Sequence, residues 1–188
     1  MNLAKLKKDF RDRYSVDPYA GALMAALQLN DLYPKEGLTA ERKYNIRKAW
    51  ISQLEKMCEK YEDVQQPEAY YENDIVALAD YMNSKFGDLF CTKEQARSGY
   101  EPGFRISHSQ KSLSICLKHL WCLGKVTEPP QCPVDRIILR KAHTTGAWTK
   151  VNCIEEHRAM IQRIRLEADR QDLSLAVWEL ATFGDGSS

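Results

Sequence analysis

The chain has 188 residues, 44% hydrophobic and 28% charged, with 27 Lys and Arg against 26 Asp and Glu for a formal net charge of +1. That length suits one domain, or one domain with a helical extension, and the ordinary apolar and charged fractions exclude global disorder and fibrous repeats. Near-neutrality excludes a uniformly basic nucleic-acid coat protein but leaves room for a local basic patch.

The apolar residues recur at helical spacing almost everywhere. Leu3, Leu6, Phe10 and Tyr14 form the stripe of a first amphipathic helix. Asp17-Pro18 reads as an N-cap followed by proline at the first helical position, opening a helix through Ala20, Leu23, Met24, Leu27 and Leu32 that Pro34 stops. Thr39 starts a third, with Tyr44, Ile51, Leu54, Cys58 and Tyr61 on one face, and the polar stretch 62–68 reads as a linker. After Asn73 the stripe returns in Ile75, Leu78, Ala79, Met82 and Phe86, closed by Gly87. Residues 87–106 are irregular, with turns at Gly99 and Pro102-Gly103. A dense apolar helix follows through Leu113, Cys116, Leu117, Leu120 and Trp121, ending at Gly124. A proline-rich loop leads to a short helix from Val134 to Lys141, and Thr144-Thr145-Gly146 breaks the chain again. Asn152 can cap a helix through Ile154, His157, Ile161 and Ile164, and Asp172 can cap a last one through Leu175 and Trp178. No alternating run and no internal repeat occurs, so the expected fold is all-α.

The start of the chain has no apolar signal region and no stretch is apolar enough to cross a membrane, so a cytoplasmic protein is expected. Cys58, Cys91, Cys116, Cys122, Cys132 and Cys153 contain no CxxC and are read as reduced thiols, with neither zinc nor an iron–sulfur cluster. His108, His119, His143 and His157 have no ligand spacing, and no phosphate loop, dinucleotide fingerprint, HExxH or GxSxG is present. No metal or other cofactor is expected.

Charge is unevenly distributed. Residues 101–150 hold eight Lys and Arg (Arg105, Lys111, Lys118, Lys125, Arg136, Arg140, Lys141 and Lys150) against Glu101, Glu128 and Asp135, a net of +5; the other 138 residues carry −4. Clustered cations beside donors such as Ser107, Ser109 and Gln110 are what phosphate contacts require. Asp135 is the exception in this basic segment. An acid at a helix start is commonly explained by the helix dipole. A carboxylate facing an anionic ligand can also stabilise an oxocarbenium ion or orient water in chemistry on a sugar.

The segment Ser109-Gln110-Lys111-Ser112-Leu113-Ser114-Ile115-Cys116-Leu117, running through Gly124 to Pro133-Val134-Asp135-Arg136-Ile137-Ile138-Leu139, resembles the core of the helix-hairpin-helix DNA glycosylases, especially the 8-oxoguanine glycosylase branch. The likeness covers residues 105–142; the first eighty-odd residues resemble no family. It implies a helical glycosylase-like region at 87–188 with an N-terminal helical extension at 1–86, packed as one unit. It also implies excision of a modified base flipped from double-stranded DNA into an aromatic-walled pocket. Asp135 matches the family's catalytic aspartate, and Lys111 falls near the lysine that attacks the sugar in bifunctional members, with Lys118 as the competing candidate. Arg105, Ser107, His108, Ser109, Gln110, Lys118, Arg136 and Arg140 are the expected DNA contacts, and Phe104, Trp121 and Trp148 the candidate base-stacking residues. The hairpin position reads Ile106-Ser107-His108-Ser109 without glycine, and the Lys111–Asp135 interval is longer than the family's usual one. These departures favour a monofunctional enzyme in which Asp135 activates water, and a monomer is expected. The chain is also similar to small bacterial antiphage glycosylases that attack bulky, glucosylated hydroxymethylcytosines of phage DNA. The competing readings are a non-catalytic helical DNA-binding module and a protein inhibitor.

Overall fold

Serine is a poor interior residue unless its hydroxyl finds a partner. The helix that carries Ser107, Ser109, Ser112 and Ser114 is nonetheless the centre of the molecule. In the computed structural model, which describes residues 1–95 and 99–184, this helix is α5 (Ile106–Cys122), and sixteen of its seventeen residues are buried. Around it pack α1 (Leu3–Arg13), α2 (Pro18–Leu27), α3 (Ala40–Cys58), α4 (Glu68–Phe86) and α7 (Ile154–Asp169). Helix α6 (Arg136–Lys141) and α8 (Leu175–Gly184) complete an all-helical fold with no strand among the described residues.

Three of these four buried hydroxyls are answered from neighbouring elements, while Ser109 Oγ has no hydrogen-bond partner among the described residues. Trp50 Nε1 donates to Ser112 Oγ at 3.1 Å, Tyr71 pairs with Ser114, and Asn30 Nδ2 donates to Ser107 Oγ at 3.2 Å. Small residues also let helices approach closely. α2 lies against α5 with Ala22 and Ala26 fully buried. Its Gly21 leaves no room for a methyl, which would stand 2.9 Å from a Val16 side-chain carbon.

One large core joins Phe10 of α1, Leu23 of α2, Trp50 of α3, Leu78 of α4, Leu117 of α5 and Leu180 of α8. It draws on both sides of residue 86. A smaller core gathers Cys132, Val134, Ile138, Trp148, Ile164 and Trp178 under α6, α7 and α8. Each such side chain stabilises the fold by about 1.5–3 kcal/mol when fully withdrawn from water.

Asn83 of α4 sets where α5 begins. It accepts from Phe104 N–H at 2.8 Å and donates to Phe104 C=O at 2.7 Å. Gly103 precedes that clamp with φ +85°, and a Cβ there would meet Asn83 Oδ1 at 2.8 Å, so both backbone and space require glycine.

Four local readings are corrected. α2 stops at Leu27 rather than near Pro34, because Gln28 is extended and Leu29 is left-handed (φ 57°), which turns Asn30 inward to Arg105. The buried face of α3 runs through Ile46, Trp50, Leu54, Met57 and Cys58; Leu54, Cys58 and Tyr61 of the expected face are buried, but Tyr44 is 63% exposed. The last helix is capped by Ser174, whose Oγ accepts from Val177 N–H, while Asp172 (φ 54°) lies in the turn after α7. Residues 106–109, expected at a hairpin, form the first turn of α5 after an extended Arg105. Residues 96–98 of the segment read as irregular lie outside the described residues.

Candidate active site

Two chain segments 24 residues apart meet at one ion pair. Asp135 is the N-cap of α6, and its Oδ1 accepts from Ile138 N–H at 2.9 Å. Its Oδ2 receives Lys111 Nζ of α5 at 2.6 Å. The side chains are 7% (Lys111) and 17% (Asp135) exposed, so the pair is screened by protein on most sides yet open to one cavity. Gln110, the neighbour of Lys111, grips the chain just before Asp135: its amide donates to Val134 C=O at 3.0 Å and accepts from Val134 N–H at 3.2 Å. This clamp fixes the distance between the lysine and the carboxylate.

Burial pushes the Asp135 carboxyl up, but the Lys111 ammonium beside it, the hydrogen bond between them and the N–H groups of Ile138 and Ile137 outweigh that, and its pKa lies below the ordinary carboxylate value. Asp135 is therefore an anion at neutral pH, in a place where an anion is poorly hydrated.

The cavity is about 380 Å³, within the range of roughly 300–1,000 Å³ typical of organic-ligand sites. Trp148, Tyr100 and Ile137 supply aromatic and aliphatic wall, and Gln28, Thr149 and Arg136 supply polar groups. Lys111 Nζ lies 5.7 Å from the Trp148 ring. Tyr100 Oη donates to Leu29 C=O at 3.1 Å and pairs with Thr149 Oγ1 at 3.0 Å, tying the turn after α2 to the segment around Trp148.

The sequence-predicted residues divide sharply. Lys111, Asp135 and Trp148 converge, and Arg136 and Arg140 lie exposed on α6 beside the cavity. Phe104 and Trp121 do not reach it: Phe104 packs edge-on to Trp50 at 4.6 Å, and Trp121 lies buried with Lys7 4.0 Å from its ring centroid. Arg105, Ser107, His108, Ser109, Gln110 and Lys118, read as DNA contacts, are interior residues. Arg105 donates to Glu101 C=O, Asn30 Oδ1 and Asp31 C=O, and its ring partner is Tyr100 at 4.8 Å. Burial lowers its pKa to about 10, which still leaves it charged at neutral pH. Lys118 is held by Glu179 at 2.8 Å. These side chains are enclosed because α5 is surrounded by other helices. Tyr100, Gln28 and Leu29 escaped the sequence reading; the only local cue for Tyr100 was its place between two turn glycines.

The proline-rich loop before Asp135 is held by a polar chain. His157 Nε2 pairs with Gln131 Oε1 at 2.8 Å, Gln131 donates to Glu72 Oε1 at 3.1 Å, and Arg158 binds Glu72 at 2.6 Å. Burial, only partly offset by Glu72, lowers the His157 pKa to about 4, and burial also lowers His119 to about 4 and His108 well below its usual value. Between the unfolded imidazole pKa of about 6.5 and about 4, the unfolded chain binds more protons than the folded one, so stability falls as pH drops through that window. His157 alone should contribute about 3 kcal/mol of that loss. Urea unfolding at pH 7 and pH 4.5 should show the decrease, and His157→Gln should make it smaller; a pH-independent midpoint would refute it.

All six cysteines are free thiols, with Cys58 and Cys116 Sγ atoms 3.5 Å apart in the core. Among the described residues no group of three metal-ligating side chains occurs, and no helix is long and apolar enough to cross a membrane. The chain matches no protein-family model, no curated protein and no solved structure.

Proposed function

We propose that the protein is a monofunctional DNA N-glycosylase that flips a modified base into the cavity beside Lys111 and Asp135 and leaves an abasic site. The observation that carries this reading is the 2.6 Å Lys111–Asp135 pair opening on a cavity walled by Trp148 and Tyr100. A flipped base needs a flat aromatic partner and a dry wall, which these side chains supply. As the bond between C1′ and the base nitrogen breaks, its electron pair leaves with the base, which takes up a proton, and positive charge builds on the sugar. The Asp135 anion stabilises that charge, and a water positioned by its carboxylate adds hydroxide to C1′ while the water's proton passes to Asp135. Arg136, Arg140 and Lys141 on the exposed side of α6 meet the flanking phosphates. The substrate we favour is a bulky modified cytosine, such as glucosylated hydroxymethylcytosine of phage DNA, whose sugar hydroxyls suit Gln28, Thr149 and Arg136.

A lysine held as the cationic half of an ion pair has no lone pair with which to attack C1′. Its role in this reading is to keep Asp135 ionised and aimed. Incubation with unmodified and glucosylated phage DNA, followed by abasic-endonuclease cleavage, should nick only the modified DNA; no abasic site on any modified DNA would end the glycosylase reading. Borohydride should trap no covalent adduct. Lys111→Met should leave only the Ile138 and Ile137 N–H groups to oppose burial at Asp135 and move the acid limb of the pH–rate profile upward. A covalent adduct lost on that substitution would replace the hydrolytic course with a lyase.

A further inference from the structure

The first half of α3 is a cationic surface outside the basic segment. Residues 40–51 hold Arg42, Lys43, Arg47 and Lys48 against Glu41, a net of +3, within a region of the chain that is otherwise acidic. Arg42, Arg47 and Lys48 are exposed and Lys43 is half-buried, and among the described residues none of the four forms an ion pair. Arg158 and Arg165 of α7 and Arg170 just after it behave differently, each paired with a glutamate.

Placement gives this cluster its meaning. Lys43 Nζ and the Arg47 guanidinium lie 5.7 and 5.9 Å from the Tyr33 ring. Tyr33 is four residues beyond Leu29, the left-handed, 56% exposed residue on the rim of the cavity that holds Asp135. The connection between α2 and α3 thus runs from the cavity rim to the α3 cations. On the other side of the same cavity Arg136 lines the wall, and Arg140 and Lys141 follow it on α6. One group of cations therefore borders the cavity on α6, and a second lies at the far end of the short connection that leaves its rim at Leu29.

We propose that the N-terminal half of α3 is a second phosphate-binding bank, so that duplex DNA lies across the cavity between α6 and α3, and that the first 86 residues supply binding energy rather than chemistry. The proposal rests on the glycosylase reading for its ligand. Each unpaired cation that neutralises a phosphate releases condensed counterions, which makes its contribution readable in the salt dependence of affinity.

The test is duplex binding at several salt concentrations. The probe is a 20-base-pair duplex containing glucosylated hydroxymethylcytosine, and the variant is Arg42→Gln/Lys43→Gln/Arg47→Gln/Lys48→Gln. Its slope of log affinity against log salt should be shallower by about 0.9 per contact removed, with at least about a tenfold loss of affinity near 0.1 M salt. Lys56→Gln/Lys85→Gln, which alters exposed lysines elsewhere, should leave slope and affinity unchanged. If the quadruple variant unfolds, Arg42→Gln/Lys48→Gln spares the two cations on Tyr33 and should show about half the slope change. An unchanged slope in folded α3 variants, while Arg136→Gln/Arg140→Gln weakens binding, overturns the second bank and leaves the glycosylase reading standing. Wild-type protein that binds no duplex overturns both. Loss of binding to an acidic peptide such as polyglutamate, with DNA affinity intact, also overturns the proposal and assigns α3 to a protein partner.

Discussion

Asp135→Asn is expected to lower abasic-site formation by about 10³-fold while the protein still binds modified duplex as tightly as wild type or more tightly. The amide oxygen of asparagine can still accept from Ile138 N–H, so the start of α6 is kept. On the proposed reaction, what disappears is the negative charge facing C1′. In that reading the substitution also removes an anion from the side that meets DNA, so phosphate repulsion falls and binding does not suffer. It also leaves the Lys111 ammonium without its partner, a loss of about 1–3 kcal/mol that a melting curve will register. The variant should therefore separate binding from turnover, with endonuclease-detected abasic sites giving one and duplex titration the other. Full activity in a folded Asp135→Asn protein would remove Asp135 from the chemistry altogether.

Glu179→Ala is expected to destabilise the protein by about 3–5 kcal/mol. Lys118 and Glu179 are 4% and 3% exposed, 2.8 Å apart, and join the central helix to the C-terminal one. The Lys118 ammonium also lies 4.6 Å from the Phe10 ring and 4.1 Å from that of Phe183, so without the glutamate a full charge remains in a largely apolar enclosure. Breaking such a pair on one side is far costlier than exchanging both partners. Lys118→Met/Glu179→Leu should accordingly recover most of the loss. Urea unfolding followed by helical circular dichroism measures both. A loss below about 1 kcal/mol in the single variant would mean that the pair behaves like a solvent-exposed one.

These predictions treat Lys111 and Lys118 very differently, although they stand seven residues apart on one helix. At that spacing they lie close to the same side of α5. Lys111 meets an acid at the rim of a cavity, whereas Lys118 meets one in a sealed interior. Nothing local to either lysine tells which acid it meets. The same holds for the aromatics: Trp121 and Trp148 are both tryptophans in the basic segment, but only the second borders the cavity.

Several features were legible because they depend on neighbours along the chain. Asp17-Pro18 opens α2, with the Asp17 carboxylate accepting from Tyr19 and Ala20 N–H groups, and Thr39 opens α3 by accepting from Arg42 N–H. Gly124 follows α5 with φ +74°, and the acid read at the start of α6 is its N-cap. Caps, turn glycines and the helical period act within a few residues, so composition and spacing determine them without a fold. They establish an all-helical chain and place the acid Asp135 at the start of a helix, whereas Lys111 stands out only through the family resemblance. The tertiary structure alone decides that these two meet across 24 residues, that Tyr100 and Leu29 face the same cavity, and that Arg105 and Lys118 are interior while Arg136 and Arg140 remain on the surface. Burial belongs to what packs against a side chain, and for α5 that is five other helices drawn from almost the whole length of the chain.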